Sequence, residues 1–105
     1  MKPEDRLRNT FRDRIVGRGG VAVVYPRTRY ARSGVSDLLV CYRGRYLAIE
    51  VKLPGGSYGA TPSQVAFLED VYQAGGIRII AREWDDIEPW LNVIDRAGDQ
   101  PEVRP

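Results

Sequence analysis

The stretch from Asp37 to Lys52 constrains the fold more than any other part of the chain. It reads Asp-Leu-Leu-Val-Cys-Tyr-Arg-Gly-Arg-Tyr-Leu-Ala-Ile-Glu-Val-Lys, two arms rich in Val, Ile, Leu and Tyr around Arg43-Gly44. Residues of this kind favour strands, and a glycine between two such arms supplies the positive φ that a tight connection demands. The pattern predicts a β-hairpin. If Arg43-Gly44 forms the loop, Tyr42 faces Arg45, and counting outwards brings Asp37 opposite Glu50. Opposed residues of an antiparallel pair hold their Cβ atoms about 5 Å apart, a separation at which like charges are destabilising unless compensated. Lys52, two residues beyond Glu50, points to the same face. Two acids and a lysine converging at one end of an apolar hairpin call for a compensating group, and a divalent cation would supply it.

The same register places Leu38, Val40, Leu47, Ile49 and Val51 on one side of the hairpin. Leu39, Cys41, Tyr46 and Ala48 join the charged trio on the other. With both sides largely apolar, the hairpin is expected at the centre of a sheet covered on both faces, its polar cluster confined to one end.

Composition narrows the chemistry. The chain has 105 residues and no histidine, which removes Ser-His-Asp and Cys-His nucleophilic schemes, histidine general bases and His-ligated zinc. A single cysteine, Cys41, can form neither an internal disulfide nor a zinc cluster and reads as a small buried strand residue. Hydrolysis would therefore rest on carboxylates, lysine, metal and water. No apolar run approaches the roughly 18 residues of a membrane span, and the acid-containing start does not read as a secretory signal, so a cytoplasmic protein without a membrane partner is expected. The net charge of +2 hides an asymmetry: residues 1–52 carry twelve Lys or Arg against five Asp or Glu, and residues 53–105 carry four against nine. The basic half holds the hairpin, and a polyanion such as nucleic acid would be drawn to it, although solvated surface arginines would give the same count.

Before the hairpin, Pro3-Glu4-Asp5 opens a helix expected to reach about Ile15, with Leu7, Phe11 and Ile15 as its buried stripe. Glu4 suits the helix N-terminus electrostatically, and it could also belong to a site. Val21 to Tyr25 reads as a strand stopped by Pro26. In the following segment Arg27, Arg29 and Arg32 alternate around Tyr30 and lead through Ser33 to Asp37. Such a segment could hold phosphates and stack on a base, or simply be a solvated loop.

After Lys52 a Pro- and Gly-rich loop, residues 53–60, is expected to be mobile. Thr61-Pro62-Ser63-Gln64 then forms a capping box that starts a helix with Val65, Leu68, Val71 and Tyr72 as its stripe. Capping alone accounts for Gln64. Ile77 to Ala81 reads as a short strand, and Asp85 or Asp86 as the cap of a last helix through Trp90 and Leu91, both tryptophans acting as packing anchors. Residues 1–95 are expected to form one domain, and residues 96–105 a loose tail.

The predicted order is helix, three strands, helix, strand, helix. Together with Ser-Gly-Val-Ser-Asp37, Ile-Glu50-Val-Lys52 and Thr61-Pro-Ser-Gln64, it resembles the VRR-NUC branch of the PD-(D/E)XK nuclease superfamily. The likeness runs from about Glu4 to Trp90. It implies an α/β, restriction-endonuclease-like αβββαβ core with an added C-terminal helix. One departure is Ser36, which stands where that family usually has proline; this alters loop rigidity and removes no metal ligand. The resemblance further implies a metal-dependent DNA endonuclease of the small stand-alone kind found in phages and bacteria, in some members acting on branched or Holliday-junction DNA, often as a homodimer. It gives Asp37, Glu50 and the backbone carbonyl of Val51 the task of holding Mg²⁺ or Mn²⁺, and Lys52 that of orienting water or neutralising developing charge. Glu4 matches an acid often found on the first helix, and Gln64 a glutamine near the active site. The alternatives are a non-catalytic nucleic-acid-binding module and a partner-binding domain; the intact acid-acid-lysine trio speaks against the first, and the opposition of Asp37 and Glu50 against the second.

Overall fold

The computed structural model describes residues 1–56 and 59–98. Helix α1 (Pro3–Gly17) begins at a proline, carries Glu4 and Asp5 in its first turn and buries Phe11 and Ile15. Strand β1 (Val21–Val24) precedes the hairpin of β2 (Leu38–Tyr42) and β3 (Arg45–Val51). Helix α2 (Pro62–Gln73) and strand β4 (Ile77–Ala81) follow, then a 3-10 turn (Trp84–Asp86) and helix α3 (Glu88–Ala97). The four strands lie in the order β1-β2-β3-β4. β1 and β2 pair antiparallel, as do β2 and β3, whereas β3 and β4 run parallel with α2 as the crossover. This is a mixed α/β sheet in the αβββαβ order, with α3 appended.

Hairpin register follows from its turn. Arg43 and Gly44 both have positive φ, 48° and 81°, as a two-residue type I′ connection requires. The ladder runs from Tyr42 opposite Arg45 to Leu38 opposite Ile49, so the next positions outward are Asp37 and Glu50.

The main core joins Phe11 and Ile15 of α1, the Leu38, Val40, Leu47, Ile49 and Val51 side of the hairpin, and Ile87, Leu91 and Ile94 around α3. A smaller cluster of Ala48, Leu68 and Val71, with Phe67 against it, covers the opposite side. That second cover is partial. α2 reaches Ala48, while Tyr46 and Cys41 nearer the turn stay exposed beside Val21 and Val23. Cys41 is therefore not the buried residue its strand position predicts: it lies on the α2 side of the sheet, at the end that the helix does not cover.

The α2 stripe also differs from expectation. Leu68 and Val71 are buried, but Val65 and Tyr72 are each more than half exposed, because a single helix over a short sheet presents only a narrow contact line. At the C-terminal end, Asp86 accepts hydrogen bonds from the N–H groups of Arg82 (2.8 Å) and Glu83 (3.2 Å). It thus closes the 3-10 turn, and a separate helix starts at Glu88 with a proline in its first positions. Trp84 packs on the core with its ring 6.3 Å from Phe11, whereas Trp90 is 44% exposed. Residues 96 and 97, expected in a tail, complete α3. Gly98 caps that helix, and the rest of the expected tail, 99–105, lies outside the described residues, as do Ser57 and Tyr58 of the glycine-rich loop.

Candidate active site

Asp37 and Glu50 meet at the open end of the hairpin because β2 begins where β3 ends. Both are buried, Glu50 to 1 % exposure. One oxygen of Asp37, Oδ2, accepts from the N–H of Val51 at 2.9 Å, which fixes the carboxylate to β3 across the ladder. The other, Oδ1, is paired with the guanidinium of Arg27, a residue of the loop between β1 and β2. Glu50 Oε1 accepts from Gln64 Nε2 at 2.9 Å and lies 3.7 Å from Lys52 Nζ. Glu50 Oε2 is buried with no hydrogen-bond partner.

Gln64 links the site to its helix. Its Oε1 accepts from the backbone N–H of Thr61 at 2.9 Å and from Lys52 Nζ at 3.2 Å, while its own backbone N–H donates to Thr61 Oγ1 at 3.3 Å. With two donors directed at Oε1, the amide nitrogen is left to face Glu50. The capping box predicted from Thr61 to Gln64 therefore forms, and the same side chain bridges helix cap, acid and lysine.

Burial disfavours the charged form of Glu50, and the neighbouring Asp37 carboxylate disfavours it further; together they push its pKa from an ordinary 4.5 up to about 8, against the opposing influence of Lys52 and Arg27. Arg27 moves the other way in charge terms: its contact with Asp37 holds the guanidinium above its already high ordinary value.

Glu4 lines a cavity of about 120 Å³ with Lys2, Asp5, Arg8, Arg27 and Asp37, so the start of α1 is brought to the Asp37 side of the cluster. Arg27, Arg29, Arg32 and Ser33 line a larger neighbouring cavity of about 410 Å³, which Gln64 also borders. Arg29 donates to the Tyr30 hydroxyl at 2.6 Å and stacks on that ring at 4.9 Å, and Tyr30 itself is exposed. Arg32 is tied back to α2, donating to Asp70 Oδ2 at 3.0 Å and lying 5.3 Å from the Phe67 ring. The loop is held against the start of α2 by a close approach: a Cβ at Gly34, where φ is +83°, would come within 2.4 Å of the Ser63 carbonyl oxygen.

Sequence reasoning did not foresee that Arg27 sits on Asp37. The alternation of arginines marks the loop as basic but carries no periodicity that says which of them turns inward. It also gave no sign that one Glu50 oxygen would be left without a partner.

The arrangement can hold a hard cation. Among the described residues no three His, Cys, Asp or Glu side chains gather into a metal cage. Two buried carboxylates with one unpartnered oxygen nevertheless match the few protein ligands that Mg²⁺, which keeps several of its waters, commonly takes. The donor set fits Mg²⁺ or Mn²⁺ and has neither the nitrogen nor the sulfur that a zinc site would use.

The αβββαβ order, the mixed sheet and the polar cluster at the end of its central hairpin define a restriction-endonuclease-like fold. A solved structure described as "VRR_NUC domain protein" shares it, with a TM-score of 0.64 over 91% of this chain and 88% of that one. Sequence identity between the two is 21%, so the likeness is one of fold. No protein-family model matches the chain, and no curated protein sequence does.

Proposed function

We propose that this protein is a Mg²⁺- or Mn²⁺-dependent DNA endonuclease that hydrolyses phosphodiester bonds, with branched or junction DNA as its substrate. The observation that carries this reading is the buried opposition of Asp37 and Glu50, with Lys52 against Glu50 and one Glu50 oxygen unpartnered. A structural hairpin end gains nothing from burying two acids together, whereas a site built for a cation does. The fold shared with the structure described as "VRR_NUC domain protein" is consistent with it.

In this reading Asp37 and Glu50, with the backbone carbonyl of Val51, hold the ion. When bound, such an ion activates water and offsets charge accumulating on the phosphate. Lys52, held between Glu50 and Gln64, keeps its ammonium beside the acids, where it can orient the attacking water or neutralise that charge. Gln64 fixes both partners through one amide. Glu4 lies across the small cavity from Asp37 and serves as a further acid of the site. Arg27, Arg29, Arg32 and Ser33 line the groove that takes the DNA backbone, and exposed Tyr30 offers a stacking face.

The test is incubation with linear duplex, flap and four-way-junction DNA, with and without Mg²⁺ or Mn²⁺. Metal-dependent products that disappear in Lys52→Ala are expected, with the branched substrates cut fastest. Absence of such products with both ions refutes the enzyme; retained DNA binding would then identify a non-catalytic nucleic-acid-binding module. One chain carries one site, so symmetric cutting of two strands needs two copies, and a homodimer is proposed on that ground. A sedimentation coefficient of a monomer at micromolar concentration refutes it.

A further inference from the structure

The two Asp37 oxygens have partners of different kinds. Oδ2 is bound by the main-chain N–H of Val51, the last residue of β3, a donor that cannot withdraw without breaking the β3 backbone geometry. Oδ1 is bound by Arg27, whose side chain is 66% exposed although the carboxylate it touches is buried. Arg27 reaches inward from a loop rather than from a strand or helix, and the cavity it borders also holds Glu4 and Asp5, which give a released guanidinium an acidic place to go. Its second cavity, lined with Arg29 and Arg32, is the groove assigned above to DNA phosphates. An ion held between Asp37 and Glu50 would need an oxygen from each acid. Glu50 Oε2 has no hydrogen-bond partner to give up, so the contact that the ion would have to replace is that of Arg27 on Asp37 Oδ1.

We propose that Arg27 is the built-in counter-cation of Asp37 in the metal-free protein, that the entering divalent ion displaces it, and that the freed guanidinium then takes a DNA phosphate. This rests on the metal-dependent reading above and adds to it an exchange at one named atom. The pairing neutralises Asp37 while the metal is absent, leaving a site that has to compete with its own arginine for each ion. Because the ion and Arg27 compete for the same Asp37 oxygen, the guanidinium becomes available to a phosphate only in the metal-loaded protein, where the divalent ion leaves the site richer in positive charge; this couples ion binding to DNA binding.

The experiment is Mn²⁺ binding to the full chain without DNA, read as free Mn²⁺ by electron paramagnetic resonance, for the wild type, Arg27→Gln, Arg27→Lys and Asp37→Asn. Removal of the competitor is expected to tighten Mn²⁺ binding five- to tenfold in Arg27→Gln, with Arg27→Lys close to wild type and Asp37→Asn at least tenfold weaker. In the wild type, the Arg27 side-chain Nε–H resonance should shift on adding Mg²⁺, a readout that requires no variant to fold. Binding that is weakened by Asp37→Asn but unchanged or weakened by Arg27→Gln, with an unmoved Arg27 resonance, overturns the exchange and leaves the metal site standing. No Mn²⁺ binding to any of the four proteins overturns both.

Discussion

Glu50→Gln should stabilise the metal-free protein, and by an amount that depends on pH. Glu50 is almost fully buried and its Oε2 has no partner, so ionising it costs desolvation that Lys52 at 3.7 Å only partly offsets. Its folded pKa of about 8 lies above the ordinary 4.5. Between those values the unfolded chain has released the proton while the folded one retains it, so stability falls as pH rises across that window and is level on either side. Converting the whole interval at about 1.4 kcal/mol per tenfold change gives a ceiling on the order of 5 kcal/mol. Adjustment of Lys52 and Arg27 around the charge reduces this, and we expect roughly 2 kcal/mol between pH 5 and pH 8. Glutamine keeps an oxygen for Gln64 Nε2 and does not ionise. In a chain of this length ~2 kcal/mol corresponds to about 10 °C in Tm. Thermal unfolding in EDTA should therefore show the Glu50→Gln advantage growing from near zero at pH 5 to about 10 °C at pH 8. An advantage that is the same at both pH values, or a variant less stable than wild type at pH 8, refutes the account of Glu50 as an uncompensated buried acid.

Two further substitutions probe the elements that position the site. Gly34→Ala places a methyl group 2.4 Å from the Ser63 carbonyl oxygen at a φ of +83°, and should cost about 2 kcal/mol in urea unfolding, with cleavage reduced because the arginine loop is pushed off α2. Thr61→Ala removes the hydroxyl that accepts from the Gln64 N–H; a loss of about 1 kcal/mol is expected, together with a several-fold lower cleavage rate, since Gln64 loses the anchor of its helix turn.

The hairpin was legible in the sequence because its register follows from local chemistry. Arg43-Gly44 can form a two-residue turn, and once it does, every facing pair out to Asp37 and Glu50 is decided. The capping box was legible for the same reason: Thr61, Pro62 and Gln64 act within one turn. Cys41 was misread because alternation says which side of a sheet a residue faces, not how far the covering helix reaches. Val65 and Tyr72 fit the helical period of α2 but fall to either side of its narrow line of contact. The inward turn of Arg27 depends on the path of the connection between β1 and β2, residues 25–37, and nothing in that stretch repeats.

The strand order explains why the acids meet at this point rather than elsewhere. β3 is antiparallel to β2 on one side and parallel to β4 on the other, so it marks the change of direction in the sheet. An antiparallel neighbour puts the start of β2, with Asp37, beside the end of β3, with Glu50. A parallel neighbour obliges the chain to leave that same end of β3 and cross over through α2, which delivers the N-terminus of α2 and Gln64 to the two acids. Open α/β sheets bind ligands outside the carboxyl ends of their strands at such reversals. Here the same geometry also brings the β1–β2 loop to that end, since Asp37 is the residue on which the loop closes, and Arg27 needs only to fold back along it to reach the carboxylate.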